Sequence, residues 1–239
     1  MGHRYTFDFV QDSKISKNDF KKMLFGSFRG SAIWSQGKLK PVWEKARDSV
    51  YGFTEDNIVY GSLTWGRPKK PNLVRIHYID GYGTFGKTFI ELKDEQSIRE
   101  RGETVYEETC WWINNGTVAR RRCKFLFDKF QATDCACKFT GFPGAQGLEP
   151  FDRVKVTHSL PGWTAKDFIV KKKSEDDIGR PVLECESYHE GLYQGEEAEP
   201  QANVPASNLP NPFAPPHQVQ GLTLTDISGW SSDGYYIPK

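Results

Sequence analysis

The chain has 239 residues, with 32 basic and 31 acidic side chains and a formal net charge of +1. This balance provides no field that would attract nucleic acid or an anionic membrane. Aromatic residues form 14% of the chain and include 7 tryptophans, enough to build a hydrophobic core. The N-terminus shows no apolar signal segment, and no run approaches about 18 apolar residues. We therefore expect a cytoplasmic protein without a membrane span.

The first predicted element is a short helix that begins near Ser16. Ser16 and Asp19 form a capping pair at the start of this helix, and Phe20 and Met23 fall on one face. Gly26 can end the helix, because glycine readily adopts the backbone conformation found just after a helix. The sequence predicts no other helix as clearly.

From residue 57 onward the hydrophobic residues alternate with a period close to two, which is typical of half-buried strands. Strands are predicted at 58–65, 73–79, 85–92, 104–113, 117–127, 132–140, 153–160, 167–173 and 182–189. Turn-forming steps such as Asn115-Gly116 and Pro161-Gly162 separate them. Because no long helical segments intervene, the spacing predicts an all-β, mainly antiparallel body over residues 1–190, folded as a barrel or a sandwich.

One stretch resembles a known class of barrel. Gly26-Ser27-Phe28-Arg29-Gly30 is similar to the first strand of calycin barrels, which typically carry Gly-x-Trp, and Phe28 stands where the tryptophan would be. The resemblance covers five residues. It implies a lipocalin-like barrel, which we prefer over a sandwich, and an internal cavity for a small apolar or aromatic ligand.

The composition changes after Glu190. Residues 191–217 hold 6 prolines among Glu, Ala, Asn and Gln, which predicts an extended linker. The last segment, 218–239, is too short to bury a core of its own. We expect residues 191–239 to form a Pro-rich linker and C-terminal arm that packs on the body or on a neighbouring subunit, as in a homo-oligomer.

Three consecutive arginines follow the Asn115-Gly116 step. This step is a strong signal for a two-residue type I′ turn, since both central residues of that turn need a positive φ. Side chains alternate along a strand, so the hairpin register points Arg120 and Arg122 outward and Arg121 inward. The three arginines are therefore not expected to form one charged patch.

Arg121 and Glu108 are then expected to lie diagonally on an otherwise apolar inner face, with Tyr106, Trp112 and Phe125 as ligand-binding neighbours. An unpaired charge there would cost several kcal/mol, so each needs the other or a ligand. Two interpretations stay open, besides an error in the register, which would exchange the two faces. The pair is either a satisfied buried ion pair, or Arg121 anchors an anionic or carbonyl group while Glu108 orients it or acts as an acid/base.

His158 is the third candidate catalytic residue, because it shares a strand face with Val154 and Val156. A neutral imidazole on an apolar wall can act as a base or a donor, although a hydrogen-bonded structural role is the more common alternative. The chain has 5 cysteines, an odd number that favours free thiols in a reducing compartment. Their spacing does not suit zinc, and we expect neither a metal nor a cofactor.

Three functions follow from these patterns. The main expectation is a barrel that binds a small apolar or aromatic molecule, with cofactor-independent isomerase, cyclase or lyase chemistry left open. The alternative is a structural assembly subunit, such as a jelly-roll capsid or scaffold component, whose arm contacts other subunits. RNA binding would use Arg120, Arg122 and Lys124 beside Trp111. It is disfavoured, because Glu107 lies in the same row and the net charge is near zero.

Overall fold

The computed structural model describes residues 6–9, 14–35, 37–81 and 86–193. In the C-terminal part it describes only residues 229–230, 233–234 and 236–237. The chain divides into two compact units, residues 1–204 and residues 205–239. Most of the predicted Pro-rich arm, 191–239, therefore lies outside the described residues.

The architecture is mostly β, as the sequence predicted, with three helices in the described part of the chain. The helices are α1 (Lys17–Ser27), α2 (Glu95–Arg101) and α3 (Gly116–Ala132). The strands of the first unit are β1 (Gly30–Ser35), β2 (Lys38–Trp43), β3 (Ser49–Phe53), β4 (Thr64–Gly66), β5 (Leu73–Ile79), β6 (Lys87–Lys93), β7 (Val105–Thr109), β8 (Ala136–Thr140), β9 (Arg153–His158), β10 (Trp163–Glu175) and β11 (Pro181–Ser187). In the second unit, β12 (Gly229–Trp230) pairs with β13 (Tyr236–Ile237). None of the described helices is long and apolar enough to cross a membrane.

The larger sheet of the first unit has six strands in the order β3-β9-β10-β11-β8-β4. Strands β3 and β9 run parallel, and the other neighbours are antiparallel. Its core is packed by side chains from several strands, among them Phe53, Phe139, Phe168 and Leu183. Strands β3 and β4 stand at opposite edges and do not pair, so the sheet is mixed and open. The expected lipocalin-like barrel is therefore wrong.

A second sheet has three strands in the order β6-β5-β7. Strands β5 and β7 are parallel, and helix α2 lies between β6 and β7 in the chain. Helix α3 packs against β5 and β6. The fully buried side chains of Val74, Ile76, Ala119 and Cys123 form the core between helix and sheet.

Residues 116–132 form a helix where the sequence predicted a strand at 117–127. Asn115 has an extended backbone, φ −123°, and its side chain accepts a hydrogen bond from the Thr117 N–H at 2.8 Å, so it caps the helix. Ala119 and Cys123 are fully buried four residues apart, which is helical spacing. The predicted type I′ turn and its register are therefore wrong.

The N-terminal helix is as predicted. Ser16 caps α1 by accepting a hydrogen bond from the Asp19 N–H at 3.1 Å. The calycin-like stretch 26–30, however, forms the end of this helix and a turn into β1, with Arg29 at φ +58°. It is not a barrel strand. Strands β1 and β2 follow as a separate antiparallel hairpin.

Candidate functional site

The three predicted catalytic residues lie on different elements. Glu108 is on β7, Arg121 is on α3, and His158 ends β9 in the other sheet. Arg121 lines a cavity of about 700 Å³ beside α3, whereas Glu108 and His158 do not. The imidazole of His158 accepts a hydrogen bond from the Leu160 N–H at 3.2 Å and lies 3.6 Å from Glu55. The structure does not assemble the expected catalytic group.

Glu108 does form the expected ion pair, but with the neighbouring arginine. The Arg122 guanidinium donates to both carboxylate oxygens of Glu108 at 2.9 and 2.6 Å, and to the Gly26 carbonyl at 2.6 Å. The helix changes which arginine points toward β7, because side chains on a helix rotate by about 100° per residue. This pair ties α3 to β7 and to the end of α1.

The predicted ligand-binding residues do not share one wall. The Tyr106 ring packs on Phe130 with centroids 4.9 Å apart, and Trp112 is buried in the core of the three-stranded sheet. Only Phe125 lines the cavity, and the Arg29 guanidinium lies 3.7 Å above its ring centroid. The prediction placed these side chains on one face of a β-hairpin. Residues 116–132 form a helix instead, so Phe125 does not share a strand face with Tyr106 and Trp112.

The cavity has a volume of about 700 Å³ and lies between α3, the start of β1 and the end of the six-stranded sheet. Most of the charged side chains that line it are basic: Arg29, Arg121, Arg122, Lys124, Lys129 and Lys171. Its acidic side chains are Glu44 and Asp128. Lys171 stands at a β-bulge in β10, where the register shifts between Val170 and Lys172. Such a bulge redirects the side chain of the extra residue.

A buried polar cluster closes one side of this cavity. Lys129 donates to both carboxylate oxygens of Glu44 at 2.7 and 2.6 Å, and the Tyr193 hydroxyl donates to Glu44 Oε1 at 2.8 Å. The side chains of Glu44 and Lys129 are only 6% and 14% exposed. The cluster joins the end of β2, helix α3 and the turn Glu190–Tyr193. Sequence reasoning missed it.

The electrostatics of this cluster keep Glu44 charged. Burial alone would raise the pKa of Glu44, but the charge of Lys129, that of Lys171 and the two hydrogen bonds together lower it. Burial lowers the pKa of Lys129, and burial beside Glu44 raises that of Tyr193. A carboxylate held by the Lys129 ammonium and the Tyr193 hydroxyl is a structural anchor, not an available proton acceptor.

The β1–β2 hairpin presents an apolar face to solvent. Its register pairs Gly30 with Trp43, Ala32 with Pro41, and Trp34 with Leu39. Residues paired across two strands share one face. We call this surface the ribbon face; its side chains are Ala32, Trp34, Leu39, Pro41 and Trp43. Trp34 is 76% exposed, Leu39 42% and Trp43 43%.

The opposite face of the hairpin is attached to the body. Val42 is buried there, while Ser35 and Lys40 bind the two carboxylate oxygens of Glu149 at 2.7 and 2.6 Å. The hydrogen bonds and the charge of Lys40 hold the pKa of Glu149 below its usual value. These contacts fix the hairpin with its apolar side chains facing outward.

Solved structures with a similar fold include a chain from the virion of a native gene transfer agent particle. The TM-score is 0.59 at 13% sequence identity, and the match covers 72% of this chain and 39% of that chain. The two chains share a fold, and this chain spans about two fifths of the length of the virion chain. No protein-family model matches the sequence, and no curated protein matches it.

Two bacterial tail proteins are also similar in structure. The 43 kDa tail protein of prophage MuSo2 from Shewanella oneidensis matches with a TM-score of 0.42 and 15% identity, over 69% of this chain and 52% of that one. The tail protein from Neisseria meningitidis MC58 matches with a TM-score of 0.45 and 11% identity, over 74% and 54%.

The main expectation from the sequence is wrong. A small-molecule-binding barrel requires a closed sheet, and the six-stranded sheet is open. A chain from a gene transfer agent virion has a similar fold. The expected catalytic residues are also spread over two sheets and a helix.

Proposed function

We propose that the chain is a structural subunit of a virion-like or tail-like particle, in which it contacts other protein chains, including copies of itself. The observation that carries this proposal is the fold shared with the gene transfer agent virion chain, a TM-score of 0.59 over 72% of this chain. A structural assembly subunit is the alternative function that the sequence patterns left open.

The ribbon face supports an assembly role. Large exposed apolar side chains that cluster on one surface commonly mark protein contacts in soluble chains. Trp34 and Trp43 lie on the same face of one hairpin, and tryptophan is enriched among the residues that dominate binding energy at interfaces. The attachment of the hairpin through Glu149 presents this face in a fixed orientation, which lowers the entropic cost of association.

Native mass spectrometry of the purified full-length chain tests the proposal. Spectra recorded from about 1 to 100 μM should show defined oligomers whose fraction rises with concentration, because association follows mass action. Trp34→Ser should shift the oligomers toward smaller species. Ile178→Ser, which changes an equally exposed side chain elsewhere (77%), is the matched control. A chain that stays monomeric throughout this range would overturn the proposal.

A further inference from the structure

We propose that the ribbon face binds the Pro-rich segment 205–216 of a second copy of this chain. The inference rests on the proposed assembly function and names one contact within it. The occupant segment lies outside the described residues, and its sequence is VPASNLPNPFAPP over positions 204–216. Three properties of the ribbon face and of this segment support the match: size, side-chain chemistry and charge.

The size of the ribbon face favours an extended peptide. Each strand of the hairpin has six residues, so the face is roughly 20 Å long at about 3.3 Å per residue. Two strands about 4.8 Å apart make it roughly 10 Å wide, which gives an area of about 200 Å². A stable contact between two globular surfaces needs about 800 Å² per partner. The ribbon face is too small for such a contact, whereas a single extended segment fits along it.

The side-chain chemistry favours proline. Segments with the pattern Pro-x-x-Pro adopt a polyproline II conformation and dock on surfaces lined by aromatic rings. Residues 212–215 read Pro-Phe-Ala-Pro, with Pro210 before and Pro216 after them. At about 3.1 Å per residue, six or seven such residues span roughly 20 Å, the length of the ribbon face. Trp34 and Trp43 stand at opposite ends of that face in the β1–β2 register.

Charge favours the same segment. Lys45 is exposed next to Trp43 of the ribbon face, and its ammonium lies 4.8 Å from the centroid of the Trp43 ring. The residues that lead into the Pro-rich segment are acidic, with glutamates at 196, 197 and 199. Opposite charges on the two partners steer their encounter and fix orientation.

A second copy is the expected donor because the copies of a particle subunit are held close together. Assembly raises the local concentration of each segment near its neighbours, so a weak peptide contact becomes well occupied. The fixed orientation of the ribbon face makes it available to every neighbour in the same way.

Photo-crosslinking in the full-length chain tests this contact. The variant Phe213→p-benzoylphenylalanine is mixed with an equal amount of ¹⁵N-labelled wild-type chain, illuminated and digested with trypsin. The expected product joins the segment around position 213 of one isotope to peptide 30–38 or 39–45 of the other. Trp34→Ser combined with Trp43→Ser in the labelled chain should reduce this product at least fivefold, and Ile178→Ser should leave it unchanged.

Native mass spectra of the same sample report whether oligomers form. Failure of the peptide contact can therefore be distinguished from failure of assembly. Oligomers with mixed-isotope crosslinks to the hairpin support the inference. Oligomers whose crosslinks fall elsewhere, or join only peptides of one isotope, overturn it and leave the assembly function standing. Monomers alone overturn the assembly function, and with it the inference.

Discussion

Lys129 and Glu44, 85 residues apart in the chain, form a buried ion pair in which the ammonium contacts both carboxylate oxygens at 2.7 and 2.6 Å. Tyr193 completes the cluster through a hydrogen bond to the same carboxylate. Helix α3 packs against the three-stranded sheet. The cluster connects this helix with the end of β2 and with the turn that follows β11. We infer that the cluster holds these elements as one rigid support for the hairpin.

Removing one partner of this ion pair should destabilise the protein strongly. Lys129→Met leaves the Glu44 carboxylate buried without its cation, and breaking a buried pair in this way costs about 3–5 kcal/mol. Urea unfolding followed by circular dichroism measures the loss. The matched control is Lys138→Met, which breaks the exposed pair with Glu184 and should cost less than about 1 kcal/mol. Equal losses in both variants would contradict the structural role of the cluster.

The same carboxylate should make stability depend on acid pH. The pKa of Glu44 is lower in the folded chain than its ordinary value of 4.5. The stabilisation that the Glu44 carboxylate contributes is therefore fully present above pH 4.5. It is lost as the pH falls through the pKa of Glu44 in the folded chain. Unfolding free energies measured between pH 6 and pH 3 should fall less steeply in Glu44→Gln than in the wild type. An unchanged slope would show that Glu44 does not carry this dependence.

The consecutive arginines offer a comparison within one helix. Arg122 binds Glu108 through two hydrogen bonds and also binds the Gly26 carbonyl, whereas Arg120 is exposed. Arg122→Met should lower the free energy of unfolding by about 3 kcal/mol, since Glu108 then loses its partner. Arg120→Met should change it by no more than about 0.5 kcal/mol. Urea unfolding measures both losses. If Arg120→Met is the more destabilising variant, Arg122 is not the arginine that binds Glu108 on β7.

The cap of α3 can be tested at Asn115. Asn115→Ala removes the acceptor for the Thr117 N–H and should cost about 1 kcal/mol. Asn115→Asp keeps the acceptor and adds a negative charge at the helix N-terminus, so it should be at least as stable as the wild type. Thermal unfolding distinguishes the two variants. An alanine variant as stable as the wild type would mean that Asn115 does not cap the helix.

The thiols should be protected in the native state. All 5 cysteines are buried and free, and burial raises the pKa of Cys110 to about 12 and that of Cys123 to about 11. The reactive thiolates of Cys110 and Cys123 are therefore scarce at pH 8. Ellman's reagent should label none of the thiols within minutes in buffer and all of them in 6 M guanidinium chloride. Rapid labelling of the native chain would contradict the packing of both cores.

Some elements follow from local sequence patterns. Helix α1 was predictable because Ser16 and Asp19, three residues apart, form its N-terminal cap. Strand β5 was predictable because burial alternates along Leu73–Ile79. Helix α3 was not, because Asn-Gly suits both a tight turn and the start of a helix. The burial of Ala119 and Cys123 decides between them. Their four-residue spacing is a signal that the sequence does contain.

Other features depend on the tertiary structure. The β1–β2 hairpin escaped prediction because Trp34 and Leu39, its large apolar side chains, face solvent, contrary to the rule that strands bury their apolar face. The Glu44–Lys129 pair joins distant parts of the chain, and no local pattern indicates it. The open sheet follows from the pairing of β3 with β9 and of β4 with β8, which depends on long-range contacts.

The location of the chain in assembled particles tests the central claim most directly. Particles from cells that produce this protein can be purified by density-gradient sedimentation, and peptides of the chain can be quantified by mass spectrometry in each fraction. The assembly function predicts that the chain sediments with the particle at a constant ratio to its other proteins. If the chain stays at the top of the gradient while those proteins sediment, it is not a subunit of the particle.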